Sequence, residues 1–397
     1  MEGAAENNDP AASGRPRRRA EARGGGLVIG VVGCGYWGAK HVRVLSGLAD
    51  VAAVVVIDRD SAIRAAITAA FPAVRGFADL EEALPLVDAL VVATPPQSHA
   101  AVAMAGIEAG KHVMIEKPMT AKLAEAYRLV EAAAAAGVVL MAGHTFEFNP
   151  AVRELRRRLD RGELGTPYYI HSARLNLGLY RSDVDVVWDL APHDVSIMNY
   201  LLRAVPDRVS AWGSAHACND VNDLAYIKLH YDSLGVTGHV HVSWLDPRKV
   251  RTVTVVGSRK MAIYDDVAEE RLRIFDCGVE AGEPIGGADT LVPYERPFAY
   301  RHGDIVSPRI AADEPLLLEN RHFVDCIRGE AEPLACGLSG LAVVAVLDAV
   351  DRAIATGSTV DVAPIPARAA SRPERRPHEL SGRIDPATVV AMHSRVA

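Results

Sequence analysis

Residues 27–38 read Leu-Val-Ile-Gly-Val-Val-Gly-Cys-Gly-Tyr-Trp-Gly, and this stretch is the strongest fold signal in the chain. An apolar run over residues 27–32 leads directly into glycines with the spacing G-x-G-x-x-G. Each glycine has a physical use: Gly33 turns the chain, Gly35 lets the backbone approach a pyrophosphate, and Gly38 lets the next helix pack close to the strand. The stretch therefore predicts the first strand and phosphate loop of a dinucleotide-binding domain.

A helix and an acidic residue complete the predicted cofactor site. Residues 39–48 are helix-like, and the N–H groups and positive dipole end of such a helix favour a phosphate. Asp58 ends the next strand, about twenty residues beyond the last glycine, where a carboxylate can accept hydrogen bonds from a ribose diol. Arg59 could grip a 2′-phosphate, but the Asp58 charge would repel it. The pattern favours NAD over NADP, with Tyr36 and Trp37 among the contacting residues.

A parallel sheet is predicted from the strands that follow. Short runs that are apolar on both faces alternate with helical segments, which implies a sheet covered by helices on both sides. Asp79 with Glu82 forms a capping-box pair, and Thr120 stands before a long helix, 121–136, that Gly137 ends. The expected strands are residues 27–32, 51–57, 89–93, 112–115 and 138–142. We predict a doubly wound α/β Rossmann domain over residues 27–147.

The pattern changes beyond residue 148. Long alternating stretches with few helices between them predict an α+β domain, residues 148–364, built on a large, open, mainly antiparallel sheet. Its expected strands are residues 167–177, 207–218, 223–231, 236–244, 250–257 and 260–265. Its expected later helices are 192–202, 315–328 and 339–356, and the last helices can pack back on the first domain. Residues 1–26 and 365–397 lack periodicity and are expected to be a disordered leader and a flexible tail.

Two polar motifs follow neighbouring strands of the predicted parallel sheet. Residues 93–99 read Ala-Thr-Pro-Pro-Gln-Ser-His, and residues 116–118 read Glu-Lys-Pro. Both lie at the carboxyl ends of strands, where open parallel sheets bind ligands. The residues expected to contact the cofactor here are Thr94, Pro95, His99, Glu116 and Lys117.

A third motif lies in the second domain, where residues 188–195 read Trp-Asp-Leu-Ala-Pro-His-Asp-Val. Asp189 and His193 are four residues apart and can share one helix face. Proline is tolerated in the first turn of a helix, so Pro192 predicts that His193 lies near a helix N-terminus. There the helix dipole disfavours the imidazolium, and a neutral imidazole is what a general base requires.

Together these motifs resemble the glucose–fructose oxidoreductase and inositol dehydrogenase (Gfo/Idh/MocA) family over about residues 27–364. The resemblance implies a Rossmann domain joined to an open-faced antiparallel sheet, with Lys117 beside the nicotinamide and its peptide bond to Pro118 often cis. On chemical grounds His193 is assigned as general base, Lys117 as the cation that stabilises the oxyanion, and Asp189 as the orienting group. The roles of Lys117 and His193 can be exchanged, because a desolvated lysine beside a cationic nicotinamide has a lowered pKa.

Further residues are expected to contact the substrate together with this trio. Residues 144–150 read His-Thr-Phe-Glu-Phe-Asn-Pro and occupy the family's domain junction, where an arginine is common at the position of Glu147. His144 is assigned to substrate binding there. Tyr180 and Arg181 precede the third motif and are assigned to the same role.

The form of these motifs looks most similar to sugar-nucleotide 3-dehydrogenases. We therefore expect NAD-dependent oxidation of a sugar hydroxyl, with a nucleotide-linked sugar as the first choice and inositol or an aminocyclitol as the alternative. An NAD-sensing regulator without turnover and an NAD-dependent glycosidase remain further alternatives. The resemblance also implies a homodimer or homotetramer.

Composition argues against several other classes of protein. The net charge of -7 disfavours a nucleic-acid surface, because neutralising phosphates requires clustered lysine and arginine. Five scattered cysteines fit reduced thiols, and no apolar stretch is long enough to cross a bilayer, so we expect a cytoplasmic protein without a membrane partner. His239 and His241 alternate onto one strand face, but no carboxylate or cysteine stands at matching spacing, so no metal site is expected.

Overall fold

The computed structural model describes residues 26–178, 180, 184–217, 221–282 and 298–366. Its first part is a six-stranded parallel sheet with the strand order β3-β2-β1-β4-β5-β6. The strands are β1 (Leu27–Val32), β2 (Val51–Ile57), β3 (Arg75–Phe77), β4 (Ala89–Val92), β5 (His112–Glu116) and β6 (Leu140–Gly143). The connecting helices are α1 (Tyr36–Leu45), α2 (Ser61–Ala70), α3 (Leu80–Ala83), α4 (Pro96–Glu108) and α5 (Leu123–Ala136). The predicted doubly wound arrangement is confirmed.

The second part is a nine-stranded sheet with the order β14-β13-β12-β11-β7-β10-β9-β8-β15. Its strands are β7 (Pro167–Leu175), β8 (Arg208–Ser214), β9 (Leu224–Tyr231), β10 (Val236–Ser243), β11 (Val250–Gly257), β12 (Met261–Asp265), β13 (Leu272–Ala281), β14 (Phe298–Val306) and β15 (Val360–Asp361). Among the described strands, β7 and β10 pair in parallel and the other neighbours pair antiparallel. The mainly antiparallel second sheet is therefore confirmed.

Helices cover one face of the second sheet. They are α6 (Pro150–Asp160), α7 (Val186–Leu202) and α9 (Gly337–Thr356), which share a core with the strands, whereas α8 (Pro315–Ile327) packs against helix α1. Helix α9 also supplies Leu341 and Val344 to a core of the parallel sheet, and α8 supplies Phe323 to another. On the opposite face, alternate side chains such as Trp212 and Tyr226 are exposed, because period-two alternation sends every second side chain away from the helices.

Four expected helix starts were wrong, and one of them is that of α9, which begins at Gly337 rather than at residue 339. Helix α1 begins at Tyr36 rather than at residue 39, since Gly35 is already the extended N-cap. Helix α5 begins at Leu123, and the Thr120 hydroxyl donates to the carbonyl of Lys122 instead of capping a helix. Helix α7 begins at Val186 because the Asp185 carboxylate caps it by accepting from the amide of Trp188 at 3.0 Å. In the described ranges, no helix is long and apolar enough to cross a membrane.

Candidate active site

The glycine loop after β1 has the close approaches that its spacing predicts. Gly33 has a φ of +81°, and a Cβ there would lie 2.7 Å from the amide nitrogen of Thr94. A Cβ on Gly38 would clash with the carbonyl oxygen of Gly33, so the helix could not pack against the strand. At Gly35 a Cβ would meet nothing within 4 Å. Tight packing at two glycines with open space at the third fits a backbone that receives a pyrophosphate there.

Asp58 follows β2 and supports this loop. Its carboxylate accepts from the amide of Cys34 at 2.7 Å and from the amide of Asp60 at 2.9 Å. Burial and the neighbouring Asp58 charge raise the pKa of the Cys34 thiol to about 12. Arg59 accepts a hydrogen bond at its carbonyl oxygen from Arg64, 3.0 Å away. Asp58 therefore connects the glycine loop to the end of the second strand.

Tyr36 and Trp37 form an aromatic pair at the start of α1. Their rings lie edge to face at 5.5 Å, and the side chains are 73% and 39% exposed. The ammonium of Lys40 lies 4.2 Å from the Tyr36 ring centroid and donates to its hydroxyl at 3.0 Å. These three side chains form a positively charged, partly aromatic surface beside the glycine loop.

His99 joins the two strand-end motifs of the parallel sheet. It is buried, with Nε2 lying 2.6 Å from the carbonyl oxygen of Thr94 and Nδ1 lying 2.9 Å from that of Pro118. Burial lowers its pKa, against the raising effect of these two carbonyls. The Lys117–Pro118 peptide bond is cis. His99 is therefore turned toward the main chain of both loops, including that of Thr94 next to Pro95.

Glu116 is buried in a polar network that the sequence did not suggest. Its Oε1 lies 2.9 Å from Nε2 of His41, and its Oε2 accepts from the amide of Lys117 at 3.1 Å. Nδ1 of His41 lies 3.0 Å from Oδ1 of Asn320 in α8. Burial alone would raise the pKa of Glu116, but the hydrogen bond and charge of His41, together with Lys117, hold it below its usual value. Only the position of His41 one turn after Gly38 could have pointed to this network.

Lys117 reaches from the parallel sheet to helix α7. Its ammonium donates to the carbonyl oxygen of Asp189 at 2.8 Å and lies 3.5 Å from Oδ1 of the same residue. The other carboxylate oxygen of Asp189 accepts from the indole of Trp244 at 3.2 Å. The structure thus brings together the Glu-Lys-Pro motif and the third motif, as the sequence predicted.

His193 lies inside α7, which corrects the expected helix-terminal position. Because Asp185 starts the helix at Val186, Pro192 is an interior proline and His193 follows it by one residue. Burial first, and then the charges of Lys117, Arg174 and others, lower the pKa of His193 well below its usual value. The expected neutral imidazole is therefore favoured, but by burial and nearby cations rather than by the helix dipole.

The Phe146 ring and the Arg174–Asp194 ion pair lie close to His193. The centroid of the Phe146 ring lies 4.9 Å from that of the His193 imidazole. The Arg174 guanidinium lies 4.6 Å from the centroid of the Phe146 ring. Arg174 donates to both oxygens of Asp194, at 2.7 and 3.3 Å. Sequence reasoning missed Arg174, because its alternation within β7 looks like that of any strand residue.

Two imidazoles have buried nitrogens without a hydrogen-bond partner in the described ranges. They are Nδ1 of His193 and both ring nitrogens of His144. Burial, reinforced by the Lys117 charge against that of Glu116, lowers the pKa of His144 to about 4. Buried polar atoms are nearly always satisfied in proteins, so these three nitrogens mark a place where a ligand can supply the partner.

The other predicted substrate contacts are placed differently. The hydroxyl of Tyr180 donates to Asp223 at 3.0 Å, and its ring packs 5.2 Å from that of Trp244. Arg181 lies outside the described residues. His239 and His241 lie on the open face of β10, where the His241 ring stacks on Tyr226 at 4.1 Å. Across the described ranges, no group of three or more candidate ligands could hold a metal ion.

Comparison with known proteins gives two family matches. Residues 27–144 match the model described as the oxidoreductase family with an NAD-binding Rossmann fold, and residues 152–263 match the Gfo/Idh/MocA C-terminal domain. Both halves of the site, the glycine loop with Lys117 and the helix with His193, lie inside these matched ranges.

Curated relatives include two dehydrogenases with different substrates. The chain is 36% identical over 197 residues to the UDP-N-acetylglucosamine 3-dehydrogenase of Acidithiobacillus ferrooxidans, covering 49% of this chain and 60% of that protein. It is 36% identical over 190 residues to inositol 2-dehydrogenase 1 of Saccharopolyspora erythraea, covering 46% of this chain and 56% of that protein. These alignments span less than two thirds of the relatives' length.

Solved structures extend the likeness over most of the chain. The Acidithiobacillus ferrooxidans UDP-N-acetylglucosamine 3-dehydrogenase structure superposes with a TM-score of 0.70 at 25% identity, covering 83% of this chain and 98% of that one. A protein of gentamicin A biosynthesis, crystallised with NAD, gives 0.71 at 25% identity over 86% of this chain and 97% of that one. The two-sheet architecture is thus shared with solved proteins over nearly their full length.

Proposed function

Because the chain belongs to the Gfo/Idh/MocA family of oxidoreductases with an NAD-binding Rossmann fold, we propose that it transfers hydride between a secondary alcohol of a sugar and NAD. NAD, when bound, supplies the hydride acceptor. The observation that carries the proposal is the contact between Lys117, at the carboxyl end of β5, and Asp189 in the helix that holds His193. Cofactor-side and substrate-side groups thereby meet at one point.

His193 is the general base of this proposal. Oxidation of an alcohol requires the hydroxyl proton to leave, and an imidazole kept neutral by burial and nearby cations can accept it. The Lys117 ammonium stabilises the developing alkoxide, and Asp189 orients that ammonium through its carbonyl and carboxylate oxygens. His144 is proposed to bind substrate hydroxyls, and its buried ring nitrogens without a partner in the described ranges support this role.

A nucleotide-linked sugar oxidised at the third ring carbon is the substrate class we favour. The motif form and the sequence likeness to a UDP-N-acetylglucosamine 3-dehydrogenase support it. A cyclitol is the second candidate, because an inositol 2-dehydrogenase matches with the same identity and the same trio could serve both. We further propose a cytoplasmic homodimer or homotetramer, supported by the exposed aromatic residues on the open sheet face and by unpaired cysteines in the described ranges.

The test combines cofactor identification with a substrate screen. The purified protein is expected to carry NAD, identified by mass, and to reduce it with UDP-sugars in preference to cyclitols. Lys117→Met is expected to lower kcat by about 10²–10³-fold, because a preorganised charge at the oxyanion is removed. Lys122→Met is the matched control, since Lys122 is exposed five positions along the chain.

Three outcomes would contradict the proposal. Binding of NAD without its reduction by any alcohol would favour the sensor alternative. Release of a cleaved sugar with no net change in NAD would favour the glycosidase. Unchanged kcat in Lys117→Met would remove the assigned oxyanion group.

A further inference from the structure

Arg251 lies next to the site on the second sheet and has no role in the chemistry described so far. In the register of β11 with β7 it stands directly opposite Arg174. Val253 and Val255 alternate with it and are buried in the core shared with α7, so Arg251 is on the helix-covered face. Two arginines therefore stand side by side beneath the helix that holds His193.

The two arginines differ in how their donors are filled. Arg174 is bound at both ends of its fork by Asp194, and both side chains are almost fully buried. Arg251 donates one bond, to Asp266 at 3.3 Å, and the other oxygen of Asp266 accepts from the Tyr264 hydroxyl at 2.8 Å. Its Nε is buried and has no hydrogen-bond partner in the described ranges. A guanidinium has five N–H donors, so Arg251 has N–H groups left that can donate to two oxygens of a carboxylate or phosphate.

The Arg251 charge reaches both sides of the site. It contributes to lowering the pKa of His193, and together with Lys249 it contributes to lowering that of the exposed Tyr36 hydroxyl, where Lys40 is the main cause. Arg251 therefore lies within electrostatic range of the proposed base and of the surface beside the glycine loop. That surface already holds Lys40 above two aromatic rings. The positive charges of Arg251 and Lys40 suit an anionic group of a ligand, and the aromatic rings of Tyr36 and Trp37 suit a sugar or a planar ring attached to that group.

We propose that Arg251 recognises a phosphate or carboxylate group of the sugar substrate, an inference that rests on the proposed function. The cofactor's own pyrophosphate is already provided for by the open backbone at Gly35 and the start of α1. Arg251 belongs to the other domain and shares the helix-covered face with Arg174, whose guanidinium packs on the Phe146 ring that contacts His193. Charge recognition by this residue would make the enzyme select nucleotide-linked or acidic sugars over neutral cyclitols.

The test compares anionic and neutral ligands on matched variants. Arg251→Gln removes the positive charge, whereas Arg251→Lys keeps the charge but loses the paired N–H donors of the guanidinium. Arg273→Gln is the control. Arg273 stands opposite Ile263, which is paired with Thr254 on the other face of the sheet. The probes are UDP-N-acetylglucosamine and glucuronate against N-acetylglucosamine and myo-inositol. Binding to the NAD-loaded protein is measured by calorimetry, and KM is measured for any probe that is oxidised.

Arg251→Gln is expected to weaken binding of at least one anionic probe by about tenfold to one hundredfold, the range for losing a hydrogen bond to a charged group. Arg251→Lys is expected to fall between wild type and Arg251→Gln. Neutral probes, NAD affinity and the Arg273→Gln variant are expected to be unchanged. Melting temperatures of all variants identify any loss caused by unfolding.

The results separate this inference from the proposed function. Equal affinity of wild type and Arg251→Gln for every anionic probe overturns the inference, and so does a loss confined to NAD. If the wild type oxidises cyclitols alone and Arg251→Gln does so equally well, the oxidoreductase assignment stands and the anion site does not. Absence of any oxidation would contradict the proposed function. Because calorimetry measures binding without turnover, the affinities would still test the role of Arg251.

Discussion

Two sets of polar residues surround the candidate active site, and they differ in whether their buried side-chain atoms have protein partners for hydrogen bonds. The strand-end set, Asp58, His99 and Glu116, has protein groups within hydrogen-bond distance of both side-chain polar atoms. The cleft set, His144, His193 and Arg251, has buried nitrogens without a partner in the described ranges. The first set fixes the loops of the parallel sheet, and the second set contains the residues that we propose act on the substrate.

The difference separates residues that maintain the scaffold from residues that act on a ligand. Leaving a buried polar atom unsatisfied costs about 1–3 kcal/mol, and for the cleft set we propose that substrate binding compensates this cost. Substitutions in the strand-end set should therefore reduce stability. Substitutions in the cleft set should reduce turnover or substrate binding and leave stability nearly unchanged.

The largest expected effect comes from the cleft set. His193→Gln should lower kcat by about 10²–10⁴-fold, because the general base is lost. The melting temperature should change little, since Nδ1 of His193 has no protein partner to lose within the described ranges. Steady-state kinetics and thermal unfolding of the same preparation check both parts.

His322→Gln is the opposite control for that prediction. Nε2 of His322 accepts from the amide of Leu334 at 3.0 Å, so the variant should lose stability and keep kcat. The wild type adds a pH test: because the pKa of His193 is lowered, the base stays neutral as pH falls below about 6.5, the usual histidine pKa. An acidic limb of kcat/KM that lies at or above that pH would contradict the assignment.

The next effect tests the strand-end set. His41→Leu leaves the buried Glu116 carboxylate without its side-chain hydrogen-bond partner and should lower the free energy of unfolding by about 1–3 kcal/mol, the cost of an unsatisfied buried polar group. Urea denaturation measures this loss. Arg43 lies on the same helix as His41 and forms an exposed ion pair with Glu314. Arg43→Leu should therefore lower the free energy of unfolding far less. Equal losses in the two variants would show that the buried network does not stabilise the fold.

The smallest effect concerns Glu319, a buried residue of α8 beside this network. Burial, and then the Glu116 charge, raise its pKa well above the usual value, so it stays protonated in the folded protein. The unfolded chain releases that proton above about pH 4.5, and stability therefore falls as pH rises toward the folded-state pKa. Glu319→Gln should remove this pH-dependent loss and raise stability at pH 8 relative to pH 5. A pH dependence of unfolding identical to that of wild type would contradict the buried neutral acid.

Local sequence determined much of the fold and of the candidate site. The glycine spacing, the doubly apolar strands and the alternation beyond residue 148 predicted both sheets, because each pattern reflects a constraint that acts within a few residues. The structure brings Lys117 into contact with Asp189 of the helix that also holds His193, while the catalytic roles of these residues stay predictions. The start of α7 was misplaced, since Pro192 looked like a first-turn signal while Asp185 provided the actual cap.

Tertiary structure alone set the hydrogen-bond partners. His41 meets Asn320 across 279 positions of sequence, and Arg174 and Arg251 become neighbours only through strand register. Burial then determined which polar atoms found partners and which, like those of His144 and His193, did not. No local pattern encodes these pairings, because they depend on distant segments that come together only when the two sheets and their helices pack.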